Sequence, residues 1–194
     1  MIDSKDRSGW FGASDTSRIL GKFDTKTFSD FWLEKLGLIS NTYTNDSLLA
    51  GTYYEHKILD SLGFPVEKDA QILIPDLRLR VNLDGNTEDT IYEVKTHRED
   101  KKFSAPIQYK RQVWVQMYAS GFRKAFIVAY GLENDDYQNF FHEINKDRLE
   151  LCPVEYNGEF IEQTYLPRLR YLKCCLDKGS FPTEEEFKGG VEMC

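Results

Sequence analysis

The chain has 194 residues, of which 41% are hydrophobic and 29% charged, with a formal net charge of −7. This composition excludes a disordered tail, a coiled coil and a collagen-like chain, and the length suggests a single domain spanning 1–194. A chain of this size buries roughly 70% of its unfolded surface, so its core needs no staples. No apolar run approaches the roughly 20 residues of a membrane span, and the Met1–Trp10 stretch is polar. The expectation is a cytoplasmic protein with no membrane partner. Cys152, Cys174, Cys175 and Cys194 lie in the last quarter without a CxxC pair, which predicts reduced thiols.

Acidity argues against a sequence-blind nucleic-acid coat. The charge is segregated, however. Between Lys95 and Arg111 six basic residues face two acidic ones, a net +4 that leaves −11 for the remainder.

In chain order, Ser14 is a candidate N-cap for a short helix reaching Gly21. Thr27–Leu36 carries Phe28, Phe31, Trp32 and Leu36 at helical spacing. Asn45 or Asp46 can cap a longer helix to Leu62, closed by Gly63 and Pro65. The period then changes. Ala70–Ile74, Leu79–Leu83 and Ile91–Thr96 read as strands, with a turn at Asp84-Gly85-Asn86. Pro106 opens a helix to Ser120, and Gly121 ends it. Arg123–Tyr130 is a buried strand and Asn139–Ile144 an edge strand. A last helix spans about Phe160–Asp177, where Pro167 either kinks it or marks its first turn. The pattern predicts an α/β (α+β) fold. It has a helical part over 1–63, a central mixed sheet over 66–147 that includes the helix at 106–120, and a C-terminal helix over 158–178.

The chemistry concentrates between Leu83 and Lys95. Alternation places Ile91, Glu93 and Lys95 on one strand face, with Tyr92 and Val94 on the other. If the strands pair, Asp84 can swing beside Glu93. Two carboxylates about 4 Å apart repel by roughly 4 kcal/mol at an effective dielectric of 20, so they need a shared proton, a cation or distance. An oxygen donor set without histidine favours Mg²⁺ or Mn²⁺. A neighbouring lysine suits a reaction that builds charge on phosphate or orients a water. The alternative is a solvated hairpin with a surface Glu–Lys pair.

Glu55 interrupts a helical stripe of Leu48, Gly51 or Thr52, Leu59 and Leu62. A carboxylate on an apolar face costs several kcal/mol unless paired or metal-bound. The alternative is a rotated helix with Glu55 at the boundary. Gln108, Gln112 and Gln116 form an i, i+4, i+8 stripe that directly follows the basic segment. This stripe is either an ordinary solvated face or the lining of a groove along a phosphate backbone. His56, His97 and His142 are scattered. Tyr53, Tyr54, Trp10 and Trp114 serve either as core or as stacking platforms.

Together, Asp84, Glu93-Val94-Lys95, the helical Glu55 and Gln112 resemble the PD-(D/E)XK nuclease core. More narrowly they resemble the lambda exonuclease / YqaJ-like phage recombination exonucleases. Arg7-Ser8-Gly9-Trp10-Phe11-Gly12-Ala13-Ser14-Asp15, Gly51-Thr52-Tyr53-Tyr54-Glu55, Gln112 to Gly121 and Lys178-Gly179-Ser180-Phe181-Pro182 match that group's landmarks in order. The resemblance implies a restriction-endonuclease-like fold and an alkaline-exonuclease type of deoxyribonuclease. Glu55, Asp84, Glu93 and the Val94 carbonyl would hold Mg²⁺, two ions, with Mn²⁺ as a substitute. Lys95 would orient or activate the attacking water, with Gln112 in support. Arg7 and Ser14 would bind a 5′-phosphate, and Gln108, Gln116, Lys101 and Lys102 would follow the DNA. Double-stranded DNA ends are the implied substrate, a single-strand annealing recombinase the implied partner, a ring trimer the implied assembly, and a phage or prophage the implied source. The family's proline is Leu83 here, and its serine two residues before the aspartate is Asn82. No cysteine precedes Cys152, which argues against the iron–sulfur cluster of related nucleases. A structure-specific or restriction-type endonuclease and a non-catalytic DNA-end-binding module are the competing functions.

Overall fold

The computed structural model describes residues 7–40 and 45–190, so Cys194 lies outside the described residues. Its helices are α1 (Thr16–Ile19), α2 (Lys26–Lys35), α3 (Asp46–Ser61), α4 (Ile107–Ser120), α5 (Gly158–Phe160), α6 (Leu166–Lys178) and α7 (Glu184–Gly189). Its strands are β1 (Glu67–Ile74), β2 (Leu79–Asn86), β3 (Thr90–Arg98), β4 (Lys124–Leu132) and β5 (Leu149–Pro153). The strands hydrogen-bond in the order β1-β2-β3-β4-β5. The pairing β2–β3 is antiparallel, β3–β4 parallel and β4–β5 antiparallel, the mixed sheet expected from the sequence. Among the described residues no helix is long and apolar enough to cross a membrane.

The described chain forms two compact units, one from 7–40, 72–81 and 157–190, the other from 45–71 and 82–156. The first is built on aromatics. Phe11, Phe28, Phe31 and Trp32 are buried, and the Trp32 indole N–H donates to the Ser180 carbonyl at 3.0 Å. Its short helical entry is not capped by Ser14. Gly12 is the N-cap, and the Asp15 carboxylate accepts its N–H at 2.9 Å. Asp15 is buried and pairs with the equally buried Lys35 at 2.8 Å and with Arg18. Pro167 sits in the first turn of α6, directly after a π-helical segment at Ile161–Tyr165. The expected single helix is thus interrupted where the missing proline N–H would break it.

In the second unit, Asn45 caps α3 by accepting the Leu48 N–H at 2.9 Å, and Gly121 ends α4 at a φ of 78°. The expected edge strand at Asn139–Ile144 is absent. Its carbonyls are taken by α3 instead: Tyr54 Oη donates to Asn139 O at 2.9 Å, and Lys57 Nζ to Phe140 O at 2.5 Å. The edge is β5, so the sheet ends at Pro153 rather than 147.

Asp84, Gly85 and Asn86 are also not a turn; they are the last residues of β2. Gly85 is required there by close approach, because a Cβ would lie 2.7 Å from Val66 Cγ1 and 2.8 Å from Leu59 Cδ2. Gly85→Ala is therefore expected to cost about 1–3 kcal/mol of unfolding free energy through overpacking. Denaturant unfolding measures this, and an unchanged midpoint would mean that Leu59 and Val66 have room to retreat.

Candidate active site

The site is built on α3, β3, α4 and the 82–86 stretch of β2, all in the second unit. The parallel β3–β4 pairing requires a crossover, and α4 supplies it, which brings its buried face over β3. The β2–β3 ladder pairs Gly85 with Tyr92 and Asn86 with Ile91. One step further, the Asp84 carboxylate accepts the Val94 N–H at 2.8 Å, in place of a backbone carbonyl. The longer β2 therefore does what the expected turn was to do, and sets Asp84 beside Glu93.

Glu93 is 1% exposed, yet its carboxylate has three donors. Oε1 accepts from Lys95 Nζ and from Gln112 Nε2, each at 2.5 Å, and Oε2 accepts from Gln116 Nε2 at 2.5 Å. Lys95 Nζ also lies 5.1 Å from the Tyr109 ring centroid, a cation–π distance. Sequence reasoning missed Tyr109, although it stands three residues before Gln112 on the same helix face.

Gln116 does not line a solvent groove. It is wholly buried, with a second hydrogen bond to the Asn82 carbonyl at 3.4 Å. The glutamine stripe runs inward from exposed Gln108 through half-buried Gln112 to Gln116. Lys101 and Lys102 are exposed in the segment between β3 and α4.

The stripe expected on α3 is corrected too. Ala50, Tyr54, Ile58 and Leu59 are the buried residues of α3, and Leu48 is exposed, so the helix is rotated and Glu55 is half-buried at its boundary. Glu55 still reaches the site. It lines a cavity of about 370 Å³ together with Ser47, Leu48, Gly51, Thr52, Val94, Lys95, Thr96 and Tyr109.

The electrostatics show crowding of negative charge. Burial, then the charges of Glu93 and Glu55, push the Asp84 carboxyl well above its ordinary value. Burial and Glu93 likewise raise Glu55. Burial alone would lower Lys95, but the Glu93 and Asp84 carboxylates outweigh it, so its pKa is raised and the ammonium stays charged. One lysine thus faces three carboxylates, an oxygen-rich set that fits a hard divalent cation. Among the described residues, the group of three potential ligands within 4.8 Å of one another is Glu55, His56 and Asp69, not Glu55, Asp84 and Glu93. His56 Nε2 lies 3.0 Å from Asp69 Oδ2, and both of these residues are exposed, whereas Glu55 is half-buried.

In the first unit, Arg7 and Ser14 are both exposed and meet, with Arg7 Nη1 donating to Ser14 Oγ at 3.4 Å. Tyr54 and Trp114 belong to the core, whereas Tyr53 is exposed. His97 packs its ring against Phe103 at 5.2 Å.

No family model matches the chain, and neither does any curated protein. Solved structures do match. The alkaline exonuclease LHK-Exo from Laribacter hongkongensis superposes with a TM-score of 0.71 at 15% identity, covering 89% of this chain and 90% of that one. A phage-related exonuclease from Haemophilus somnus 129PT superposes with a TM-score of 0.61 at 12% identity, covering 87% and 94%.

Proposed function

Because the chain has the fold of the alkaline and phage-related exonucleases, we propose that it is a Mg²⁺-dependent deoxyribonuclease that resects linear double-stranded DNA from its 5′ ends, for phage-type recombination by single-strand annealing. The observation that carries this reading is the cluster on β2 and β3: Asp84 on the Val94 N–H, and Glu93 held by Lys95 and Gln112.

Glu55, Asp84, Glu93 and the Val94 carbonyl would hold two Mg²⁺, or Mn²⁺ in their place. Bound there, the metal supplies Lewis-acid polarisation of the scissile phosphate and a water of lowered pKa. The chain's own residues then have defined tasks. Lys95, charged and anchored on Glu93, orients the attacking water and offsets negative charge as the phosphate becomes pentacovalent. Gln112 keeps Glu93 in one rotamer. Lys101, Lys102 and Gln108, exposed around the start of α4, bind the DNA backbone through phosphate contacts. Arg7 and Ser14 bind a terminal 5′-phosphate, which gives the polarity. A single-strand annealing recombinase as partner and a ring trimer as assembly belong to the same proposal.

The test is digestion of a 5′-phosphorylated linear duplex beside a covalently closed circle, each with Mg²⁺ and with EDTA. The expected result is loss of the linear DNA alone, in Mg²⁺ alone. Cutting of the circle would make the protein an endonuclease on the same core. End binding without turnover would make it a non-catalytic module.

A further inference from the structure

We propose that Gln116 is a positioning residue for the reaction: its buried amide ties the Glu93 carboxylate of β3 to β2, the strand that carries Asp84, and so sets how the two carboxylates face each other. The inference rests on the metal-nuclease reading above and deepens it.

The geometry is specific. Gln116 is 0% exposed on α4, among the buried Val113, Trp114, Val115 and Met117. Its Nε2 donates to Glu93 Oε2 at 2.5 Å and to the Asn82 carbonyl at 3.4 Å. Asn82 and Asp84 lie two apart on β2, so the amide bridges the carboxylate-bearing stretches of both strands. The orientation of the amide follows from its partners. Both neighbours are acceptors, and a flipped amide would aim Oε1 at them.

Two further facts separate this role from ordinary packing. Gln116 Oε1 is buried without a hydrogen-bond partner, a cost that an apolar residue at the same position would not carry. The two oxygens of Glu93 are also unequally held: Oε1 has both Lys95 and Gln112, whereas Gln116 is the donor on Oε2. Losing Gln112 leaves Oε1 a partner. Losing Gln116 frees Oε2.

The test compares wild type with Gln116→Met, which keeps length and removes the donor. Thermal unfolding without divalent ions, calorimetric binding of Mg²⁺ and of Ca²⁺ without DNA, and kcat and KM on a linear duplex are measured for both. The expected result is a folded variant with a lower melting temperature, since the buried Glu93 Oε2 loses its donor, an unchanged KM for DNA, and a loss of about 10- to 100-fold in metal affinity and kcat, as for other groups that orient a metal ligand. Metal affinity and kcat equal to wild type would overturn the inference and make Gln116 a packing residue. Should the variant not fold, the wild-type protein decides: the Gln116 side-chain amide in a ¹H–¹⁵N spectrum should exchange slowly and shift on Mg²⁺ addition, and signals unmoved by saturating Mg²⁺ would overturn the inference. A wild type that neither binds Mg²⁺ nor degrades DNA would remove the nuclease reading and this inference together.

Discussion

Lys95→Ala is expected to lower the rate of linear-duplex degradation by roughly 10³-fold, within the range for loss of a proton-transfer or charge-stabilising group. The structure explains why so small a change should be so costly. Lys95 Nζ sits 2.5 Å from Glu93 Oε1 and over the Tyr109 ring, so its charge is aimed at one place. The fold should survive the change. Lys95 is half-buried on the cavity wall, Glu93 keeps its two glutamine donors, and no backbone hydrogen bond is lost. DNA binding in a gel shift and the far-ultraviolet dichroism spectrum should match wild type. Retention of full activity would disprove the assignment of Lys95.

Asp84→Asn should move activity and stability in opposite directions. Cleavage is expected to fall by at least about 10²-fold, because the variant loses a charged metal ligand. The metal-free protein should nevertheless become more stable at pH 7 to 8. The sign follows from the raised carboxyls. In the folded state Asp84 and Glu55 hold their protons to higher pH than their ordinary values of 3.8 and 4.5, so the folded chain binds more protons than the unfolded one. Stability of the metal-free wild type therefore rises as pH falls through the raised folded values, and levels off below 3.8 to 4.5. Above those raised values both carboxylates are deprotonated and cost stability. Asparagine removes one of the charges and still offers an oxygen to the Val94 N–H. The wild-type melting temperature should thus climb on mild acidification, and the variant should show a flatter pH profile. Mg²⁺ should raise the wild-type melting temperature more at pH 8 than at pH 5, since metal binding needs deprotonated ligands. A wild-type melting temperature that falls from pH 8 to pH 5 without metal would contradict the crowding of these carboxylates.

The Glu93–Lys95 pair of this site was legible before any coordinates, because it follows from the two-residue period of one strand. Glu93 and Lys95 share a face of β3 by alternation, and they do meet at 2.5 Å. Gln112 joined this group only through the family resemblance; its hydrogen bond to Glu93 Oε1 is set by the packing of α4 on β3. Asp84 was placed correctly but for the wrong local reason. A D-G-N triplet resembles a turn, yet here the glycine is demanded by Leu59 and Val66 packing on β2. Glu55 likewise reaches the cavity from the boundary of α3 and not from the middle of its buried stripe.

By itself, the order of hydrophobic periods determined an α/β chain with a mixed sheet, and local spacing put Glu93 and Lys95 on one face of one strand. These are short-range properties: alternation along a strand, i, i+4 spacing along a helix, a proline or glycine at an end. Only the tertiary structure decided how far each helix is rotated about its axis, and rotation is set by partners distant in sequence. It turned Gln116 from a groove residue into a buried clamp on Glu93, moved Glu55 to a helix boundary, and took the carbonyls of Asn139 and Phe140 for the Tyr54 and Lys57 side chains of α3, leaving Leu149–Pro153 as the sheet edge.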